Sequence, residues 1–452
     1  MVMAEEIKPY TYDKKSAWDI FTDDQVQHAY MFCEGYKEFL SEVKTEREAV
    51  HFIKRYVEKK GKQIFLNKHG GAAVVVKGSK PLSEGIVLVI SHVDSPRLDL
   101  KQVPLFEDKD SNLALFETHY YGGIKKFHWV TIPLALHGVV AKKDGTTVTF
   151  RLGEDLNDPV FAVADLLPHL SHDIQDTKKM SEAIKGESLD IVVGNKPVKD
   201  SEKDKLKNTI LEKLYEEYGL VEEDFISADI EAVPAYLPRD IGFDKSMIGA
   251  YGQDDRACVY ASLNAIIDIE APEYTAIALF ADKEEIGSEG STSAQVFTFL
   301  RSILKQMDPD VDVDTVMLHS RVISADVDAA VTPNYVEAFE TKNASTLGGG
   351  VAMVKFTGHG GKYSANDAPA EYVASIRRIL SNNNIPWQTG ELGRVDNGGG
   401  GTVAKYFSRL GMMVIDMGPP VLSMHAPFEV TSKLDIYAAY LGYKAFFKAN
   451  HF

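Results

Sequence analysis

Acidic and imidazole side chains recur where apolar runs of this sequence end, and these side chains bind metal ions and carry protons. Four such runs are followed by Ser91-His92-Val93-Asp94, Asp282-Lys283-Glu284-Glu285, Ser324-Ala325-Asp326 and Ser423-Met424-His425. A fifth acidic motif, Asp254-Asp255-Arg256, lies just ahead of a helical pattern. Two histidines with three or more carboxylates suit divalent zinc, manganese or cobalt better than a thiolate site would.

Each motif has a physical use in a metal site. Asp94 can accept the second N–H of the His92 imidazole and so fix its tautomer. A carboxylate such as Asp254 can give one oxygen to each of two ions held about 3.5–4 Å apart. Of Glu284 and Glu285, one can bind metal while the other takes a proton from an activated water, and the spacing leaves open which does which. The set therefore predicts a co-catalytic hydrolase site.

Taken singly, these signals have ordinary explanations. A lone histidine is more often structural, and Asp255 is typical of the acid that favours the first turn of a helix. Other chemistries fit less well. The glycine runs at 348–350 and 397–401 lack the nucleotide-binding patterns, and no G-x-S-x-G motif for a serine nucleophile occurs. Cys258 has apolar neighbours on a predicted helix, which indicates a core residue.

The elements that must position these groups alternate between strands and helices. Predicted strands span residues 72–76, 86–90, 275–281, 321–325, 351–357 and 412–417, and predicted helices span 256–269, 292–306, 370–381 and 434–448. Such alternation predicts an α/β sheet covered by helices, which binds ligands beyond the carboxyl ends of its strands. The five motifs are therefore expected to converge.

The remaining segments do not show this alternation of strands and helices. Thr45 and Glu48 have the spacing of a capping box, which predicts a helix after residue 45. Short strand-like runs fill residues 100–150, and Asp144-Gly145 predicts a hairpin. The polar residues 171–208 indicate an exposed segment. The simplest organisation is one α/β domain interrupted by a β-rich insertion.

Composition excludes several classes of function. The 452 residues carry 49 Lys+Arg against 66 Asp+Glu, a net charge of −17, which argues against nucleic-acid binding. No apolar run approaches the roughly 20 residues of a membrane helix, and the start lacks a signal-peptide pattern. Two cysteines, Cys33 and Cys258, indicate a reducing compartment. We therefore expect a cytoplasmic protein without membrane or nucleic-acid partners.

The motifs together resemble the M18 metallo-aminopeptidases, which include aspartyl aminopeptidase and vacuolar aminopeptidase I. The resemblance covers nearly the whole chain, is closest to bacterial members and depends on the order of five motifs. These motifs are Ser91-His92-Val93-Asp94-Ser95-Pro96-Arg97, Gln253-Asp254-Asp255-Arg256, Asp282-Lys283-Glu284-Glu285-Ile286-Gly287-Ser288, Ser324-Ala325-Asp326 and Ser423-Met424-His425.

The resemblance implies an α/β catalytic domain of the zinc-peptidase type, with a mixed sheet and helices on both faces. It assigns residues 1–99 and 240–452 to that domain and 100–239 to an inserted β-rich dimerisation domain. It also implies two divalent metal ions per subunit, with zinc expected and cobalt or manganese as alternatives. One ion would be held by His92, Asp254 and Asp326, and the second by Asp254, Glu285 and His425.

The resemblance further implies roles for three other residues. Glu284 would be the general base, Asp94 would orient His92, and His169 of the Pro168-His169-Leu170 motif would stabilise the oxyanion in a neighbouring subunit. Dimers would assemble into a dodecamer, and the substrates would be peptides with a free N-terminus.

Two segments depart from patterns found in the family. Residues 357–362 differ from the acid-specific members and residues 397–402 differ from the eukaryotic form, so the preferred N-terminal residue stays open. Lys362 could pair with an acidic substrate side chain or be an exposed structural lysine. Two alternative functions are kept: a related di-metal deacylase or carboxypeptidase, and an assembly protein that has lost its activity.

Overall fold

The computed structural model describes residues 10–12, 14–199, 203–295 and 297–452 of the 452-residue chain. The first residues of the sequence, from which we predict that there is no signal peptide, lie outside the described ranges. Within these ranges no helix is both long enough and apolar enough to cross a membrane.

Strands dominate the first half of the chain and alternate with helices in the second. In chain order the strands are β1 (Gln63–Asn67), β2 (Gly71–Val76), β3 (Ile86–His92), β4 (Arg97–Asp108), β5 (Leu113–Tyr121), β6 (Leu134–Ala141), β7 (Thr147–Leu152), β8 (Ala162–Val163), β9 (Ile191–Gly194), β10 (Ala228–Pro234), β11 (Arg239–Ile241), β12 (Met247–Ala250), β13 (Thr275–Ala281), β14 (Arg321–Ser324), β15 (Asp328–Ala329), β16 (Val351–Val354), β17 (Trp387–Thr389), β18 (Met413–Gly418), β19 (Pro420–Leu422) and β20 (Glu429–Ser432).

The α-helices of the described residues, in chain order, are α1 (Ala17–Ile20), α2 (Asp23–Glu42), α3 (Glu46–Lys59), α4 (Pro168–Ser171), α5 (Met180–Ala183), α6 (Lys205–Tyr218), α7 (Gln253–Ile267), α8 (Phe297–Met307), α9 (Val313–His319), α10 (Ala370–Asn382), α11 (Ala404–Ser408) and α12 (Lys433–Phe447). All four helices predicted in the second half of the chain are present, with ends shifted by a few residues.

The largest sheet has eight strands in the order β1-β2-β13-β3-β14-β18-β16-β17. Strands β13, β3, β14 and β18 run parallel at its centre, and antiparallel pairs flank them. The carboxyl ends of these four strands therefore meet at one edge. This geometry brings together motifs that are far apart in the sequence.

Helices cover both faces of this sheet, as strand β3 illustrates. Val87 and Val89 pack into a core that includes residues of α2, α3, α7, α10 and α12. Ile86, Leu88 and Ile90 point to the opposite face, where residues of α8, α9 and α11 complete a second core. Since both faces of β3 are buried, its sequence is continuously apolar instead of alternating. The predicted α/β class, with a mixed sheet and helices on both faces, is confirmed.

A second sheet of seven strands, β7-β6-β10-β4-β5-β9-β8, lies within residues 97–234. All its pairings are antiparallel, and the hairpin predicted at Asp144-Gly145 joins β6 to β7. It has its own apolar core, centred on residues such as Trp129, Phe150 and Ile191. A third, five-stranded sheet, β11-β12-β20-β19-β15, carries the segment that follows His425.

Two local predictions have different outcomes. The capping box at Thr45 is confirmed, because its hydroxyl accepts the N–H of Glu48 and the Glu48 carboxylate accepts the N–H of Thr45. The segment 171–208 is more structured than predicted. Ile191–Gly194 forms β9 inside the second sheet, and Lys205 begins α6. A strand of four residues between polar neighbours is too short to show a period in the sequence.

Candidate active site

The strand ends bring the five predicted metal ligands into one cluster. His92 ends β3, Asp254 lies in the first turn of α7, and Asp326 follows β14 by two residues. Glu285 follows β13, and His425 lies in the loop between β19 and β20. Among the described residues, two groups of three have ligand atoms within 4.8 Å of one another. They are His92 with Asp254 and Glu285, and His92 with Asp255 and Asp326.

Asp254 lies between the two imidazoles. Its Oδ1 is 3.2 Å from Nε2 of His92, and its Oδ2 is 3.3 Å from Nε2 of His425. Nε2 of His425 is also 3.4 Å from Glu285 Oε2, and Nε2 of His92 is 3.9 Å from Asp326 Oδ1. The two oxygens of one carboxylate thus face two separate sets of ligands, as a bridging ligand requires.

The unpaired atoms of this cluster fit metal ligands. Asp254 Oδ1 and Glu285 Oε1 are buried and form no hydrogen bond. Such atoms are costly to bury unless a cation or a donor satisfies them. Ligand atoms around a tetrahedral zinc ion lie about 3.3 Å apart, because each bond is about 2.0–2.1 Å long. Burial opposes ionisation of Asp254, but the imidazoles of His425 and His92 still hold the pKa of Asp254 below its ordinary value.

Asp94 organises the loop that follows β13. Its carboxylate accepts the backbone N–H of Glu284 at 3.1 Å, the N–H of Glu285 at 3.2 Å and the hydroxyl of Tyr121 at 2.8 Å. Nδ1 of His92 is 3.0 Å from the backbone carbonyl of Asp94 and 3.5 Å from its carboxylate. Asp94 therefore contacts His92 mainly through its main chain, while its side chain fixes the Glu284–Glu285 loop.

His425 is fixed by a contact with the segment that carries the second sheet. Its Nδ1 is 2.9 Å from the backbone carbonyl of Gly123, so Nδ1 carries the proton and Nε2 is free to bind metal. His425 has a backbone φ of +64°, in the left-handed region that non-glycine residues rarely adopt. Gly123 follows strand β5 of the second sheet, so both sheets contribute to the cluster.

Glu284 lies beside the cluster on the wall of a cavity of about 700 Å³, which the predicted metal ligands His92, Asp254, Glu285, Asp326 and His425 also line. The pKa of Glu284 is raised to about 7: burial raises it most, the carboxylates of Asp94 and Asp254 also raise it, and the imidazoles of His92 and His425 oppose the rise. A carboxyl group with a pKa near neutrality can both accept and return a proton.

Residues of the segments 357–362 and 397–402 also line the cavity, which carries charges of both signs. Lys362, Arg394 and Lys405 line it, as do Asp328 and Glu391. Lys362 donates to Asp367 at 2.8 Å, and Lys355 donates to the same carboxylate at 2.6 Å. Lys362 therefore has an acidic partner within the chain, as the structural interpretation expects, and shares that partner with Lys355.

His169 is the one predicted site residue that this chain does not bring to the cluster. It lies in α4, is exposed, and is not among the residues that line the cavity. Large exposed apolar side chains flank it, including Leu167 and Leu170.

Four residues of the site were not predicted from the sequence: Tyr121, Gly123, Asp255 and Glu429. Asp255 is buried, is joined to Asp254 by a cis peptide bond, and accepts the backbone N–H of His92 at 3.1 Å. The pair Asp254-Asp255 is visible in the sequence, but a helix-start acid explains it equally well there. Tyr121 and Gly123 carry no sequence signal, because only the packing of the two sheets brings them to the cluster.

Comparison with known proteins gives a consistent family. The sequence profile of the family described as "Aminopeptidase I zinc metalloprotease (M18)" matches residues 33–447. The chain is 46% identical to the probable M18 family aminopeptidase 1 of Clostridium acetobutylicum, over 96% of this chain and 97% of that protein. It is 44% identical to the protein of the same name from Thermotoga maritima, over 96% of this chain and 98% of that one.

Solved structures agree with this result. The crystal structure of the M18 aminopeptidase from Thermotoga maritima superposes with a TM-score of 0.92 at 43% identity, covering 97% of this chain and all of that one. The structure of mApe1 from S. cerevisiae, described as a dodecamer, has a TM-score of 0.74 at 21% identity. It covers 94% of this chain and 97% of that one, and at that identity the likeness concerns the fold alone.

Proposed function

This chain belongs to the M18 family of zinc aminopeptidases, and from that premise we propose that it removes the N-terminal residue of peptides with a pair of metal ions and Glu284 as the proton carrier. Its activity as a peptide hydrolase that binds divalent metal follows from the family. The number of ions, the residues that hold them and the course of the reaction are our proposal.

The position of Asp254 is the observation that carries the proposal. Its two oxygens face His92 and His425, which favours two neighbouring ions bridged by Asp254. His92, Asp254 and Asp326 would hold one ion, and Asp254, Glu285 and His425 the other. A donor set of only imidazole and carboxylate groups suits zinc, and it also accommodates cobalt and manganese. Divalent ions bound there would polarise the peptide carbonyl and acidify a water molecule.

The protein's own groups would then move the proton. Glu284 takes a proton from the attacking water and returns it to the nitrogen of the departing peptide, so that one carboxyl group serves as base and then as acid. Asp94 keeps Glu284 at the cluster by accepting the N–H groups of Glu284 and Glu285. It also positions His92, whose Nδ1 contacts the carbonyl of Asp94.

The exposed position of His169 supports a role between subunits. We propose that residues 100–239 form a dimerisation domain inserted into a catalytic domain of residues 1–99 and 240–452. Leu167, Leu170, Ile174 and Met180 are large apolar side chains exposed near His169, and a second copy would cover them. In that dimer His169 would enter the partner's cavity and stabilise the oxyanion. Assembly of dimers into a dodecamer would follow the one described for mApe1.

Substrates are proposed to be peptides with a free N-terminus, and the location to be the cytoplasm. Both cysteines, Cys33 and Cys258, are buried free thiols, in keeping with a reducing compartment.

Replacement of Glu284 tests the proposal. We expect E284Q to keep its bound metal and lose about 10²- to 10⁴-fold in kcat on a peptide with a free N-terminus, because the amide cannot take the proton. The same peptide with an acetylated N-terminus should not be cleaved by the wild-type enzyme. The matched control is E212Q, since Glu212 is exposed on α6.

Three results would contradict the proposal. Full activity in E284Q would remove Glu284 from the reaction. Equal cleavage of free and acetylated peptides would favour the deacylase or carboxypeptidase alternative, and an inactive wild type with bound metal would favour the assembly protein.

A further inference from the structure

Glu429 is a buried acid that no step of the proposed reaction uses. It begins strand β20, four residues after His425, and only 1% of its surface is exposed. A carboxylate buried to this degree is costly unless its oxygens are hydrogen-bonded. Its partners therefore indicate why it is there.

Both oxygens of Glu429 bind the main chain of proposed metal ligands. Oε1 accepts the backbone N–H of His425 at 2.8 Å, and Oε2 accepts the backbone N–H of Asp254 at 3.1 Å. The backbone carbonyl of Glu429 accepts the Nε2–H of Gln253 at 2.7 Å. One residue thus connects the start of α7 to the loop that carries His425.

These bonds act on the two side chains that face each other across the cluster. His425 Nε2 lies 3.3 Å from Asp254 Oδ2, and their distance depends on how the two backbones are held. His425 has a φ of +64°, and such a conformation persists only where neighbouring groups hold it. The bond from its N–H to Glu429 is one such restraint. The Asp94 carboxylate restrains the Glu284–Glu285 loop in the same way, because it accepts the backbone N–H groups of both residues.

We propose that Glu429 is a positioning residue of the metal centre, which sets the distance between Asp254 and His425 and thereby the affinity for the ion that they share. The inference depends on the proposed metal site. It assigns Glu429 no contact with substrate or metal.

Metal binding to variants of Glu429 tests this inference. In E429Q the amide group still accepts one N–H but turns its own NH₂ towards the other, so one of the two backbones loses its partner. In E429D the carboxylate is kept on a stem one methylene shorter. The measurements are the dissociation constants for zinc, obtained by chelator competition on metal-stripped protein, the melting temperature of that protein, and kcat and KM with saturating zinc.

The matched control is D435N. Asp435 is a fully buried carboxylate that also accepts two backbone N–H groups, those of Gly348 and Gly350, each at 2.7 Å. It lies in the first turn of α12 and does not line the active-site cavity. Replacement of the Asp435 carboxylate should lower the melting temperature, as the loss of any buried acceptor does. It should leave the affinity for zinc unchanged.

We expect the affinity of E429Q for the zinc ion shared by Asp254 and His425 to fall about 10- to 100-fold, with kcat at saturating zinc reduced and KM little changed. The zinc affinity of E429D should lie between those of E429Q and wild type, and E429D provides the test if E429Q does not fold. Wild-type zinc affinity in a folded E429Q or E429D, or an equal loss in D435N, would overturn the inference. If wild-type protein itself bound no zinc, the proposed function would fail instead.

Discussion

At the scale of single residues, Tyr121 connects the inserted segment to the loop that carries Glu284. Its hydroxyl donates to Asp94 Oδ2 at 2.8 Å, and the Arg97 guanidinium lies over its ring at 3.8 Å from the centroid. Asp94 in turn accepts the N–H groups of Glu284 and Glu285. Tyr121 thus orients the acid that orients the proposed base.

We therefore predict that Y121F lowers kcat by about tenfold with KM little changed, since Asp94 loses one of its three donors while the aromatic ring still packs against Arg97. Steady-state kinetics on a free peptide measures this. The control is Y56F, which removes a comparable hydroxyl bond, from Tyr56 to Asn264 at 2.9 Å, away from the site. Unchanged kcat in Y121F, or an equal loss in Y56F, would contradict the role of Tyr121.

The residues that could be predicted from the sequence are those that follow regular strands. His92 and Asp326 come just after apolar runs, and the topology of a parallel sheet brings such ends together. Tyr121, Gly123 and Glu429 could not be predicted in this way. Their contacts with the cluster arise from how one sheet packs on another, which no local pattern encodes.

At the scale of elements, a buried cluster of charges joins α3 to the inserted sheet. His137 on β6 is fully buried, with Nδ1 2.8 Å from Glu48 Oε1 and Nε2 3.0 Å from Glu154 Oε1. Lys44 Nζ lies 2.9 Å from the same Glu154 oxygen and donates to the Pro234 carbonyl at 2.6 Å. The carboxylate that caps α3 is thus also a partner of the inserted sheet.

This cluster predicts a dependence of stability on pH. Burial lowers the pKa of His137, but its bonds to Glu154 and Glu48 outweigh burial and raise the pKa overall above 6.5. A raised histidine pKa stabilises the fold fully below the unfolded value of about 6.5, and that contribution is lost as pH rises through the folded value.

We therefore expect H137Q to be destabilised by about 3 kcal/mol near pH 6 and by progressively less as pH rises. Thermal melts of wild type and variant between pH 6 and 9 measure the difference. H51Q is the control, since His51 is exposed on α3. A difference between H137Q and wild type that does not change with pH would refute the prediction.

Much of the fold at this scale could be predicted from the sequence, and the strands that could not be predicted have a physical reason. Strands buried on both faces, such as β3 and β13, are unbroken apolar runs with clear ends. Strand β9 has β-branched residues that favour a strand, but it spans only four residues among polar neighbours. Its pairing with β5 and β8 is what places it in the sheet.

At the scale of the whole molecule, the segment that carries the second sheet supports the candidate site of its own chain and presents His169 outwards. Tyr121 and Gly123 contact Asp94 and His425 of their own chain, whereas α4 is exposed. A dimer in which each α4 enters the partner's cavity would account for both features.

Mixing two inactive variants tests this arrangement. We predict that H169A and E284Q are each impaired about 10²-fold or more, and that their co-expression restores about a quarter of the wild-type rate. Half of randomly paired dimers are mixed, and one of their two sites has both groups. His172 is also exposed, so H172A is the control and should be active alone. A co-expressed rate equal to the mean of the two variants would place His169 in its own chain's site or outside the reaction.

We propose that hydrolysis at a free N-terminus needs two metal ions held by His92, Asp254, Glu285, Asp326 and His425. A titration of metal-stripped protein with zinc, which follows release of the N-terminal residue from a short peptide, measures this requirement. We expect no activity without metal and a rise that reaches its maximum at about two ions per chain. Activity that survives complete removal of metal, or that reaches its maximum at a single ion, would contradict it.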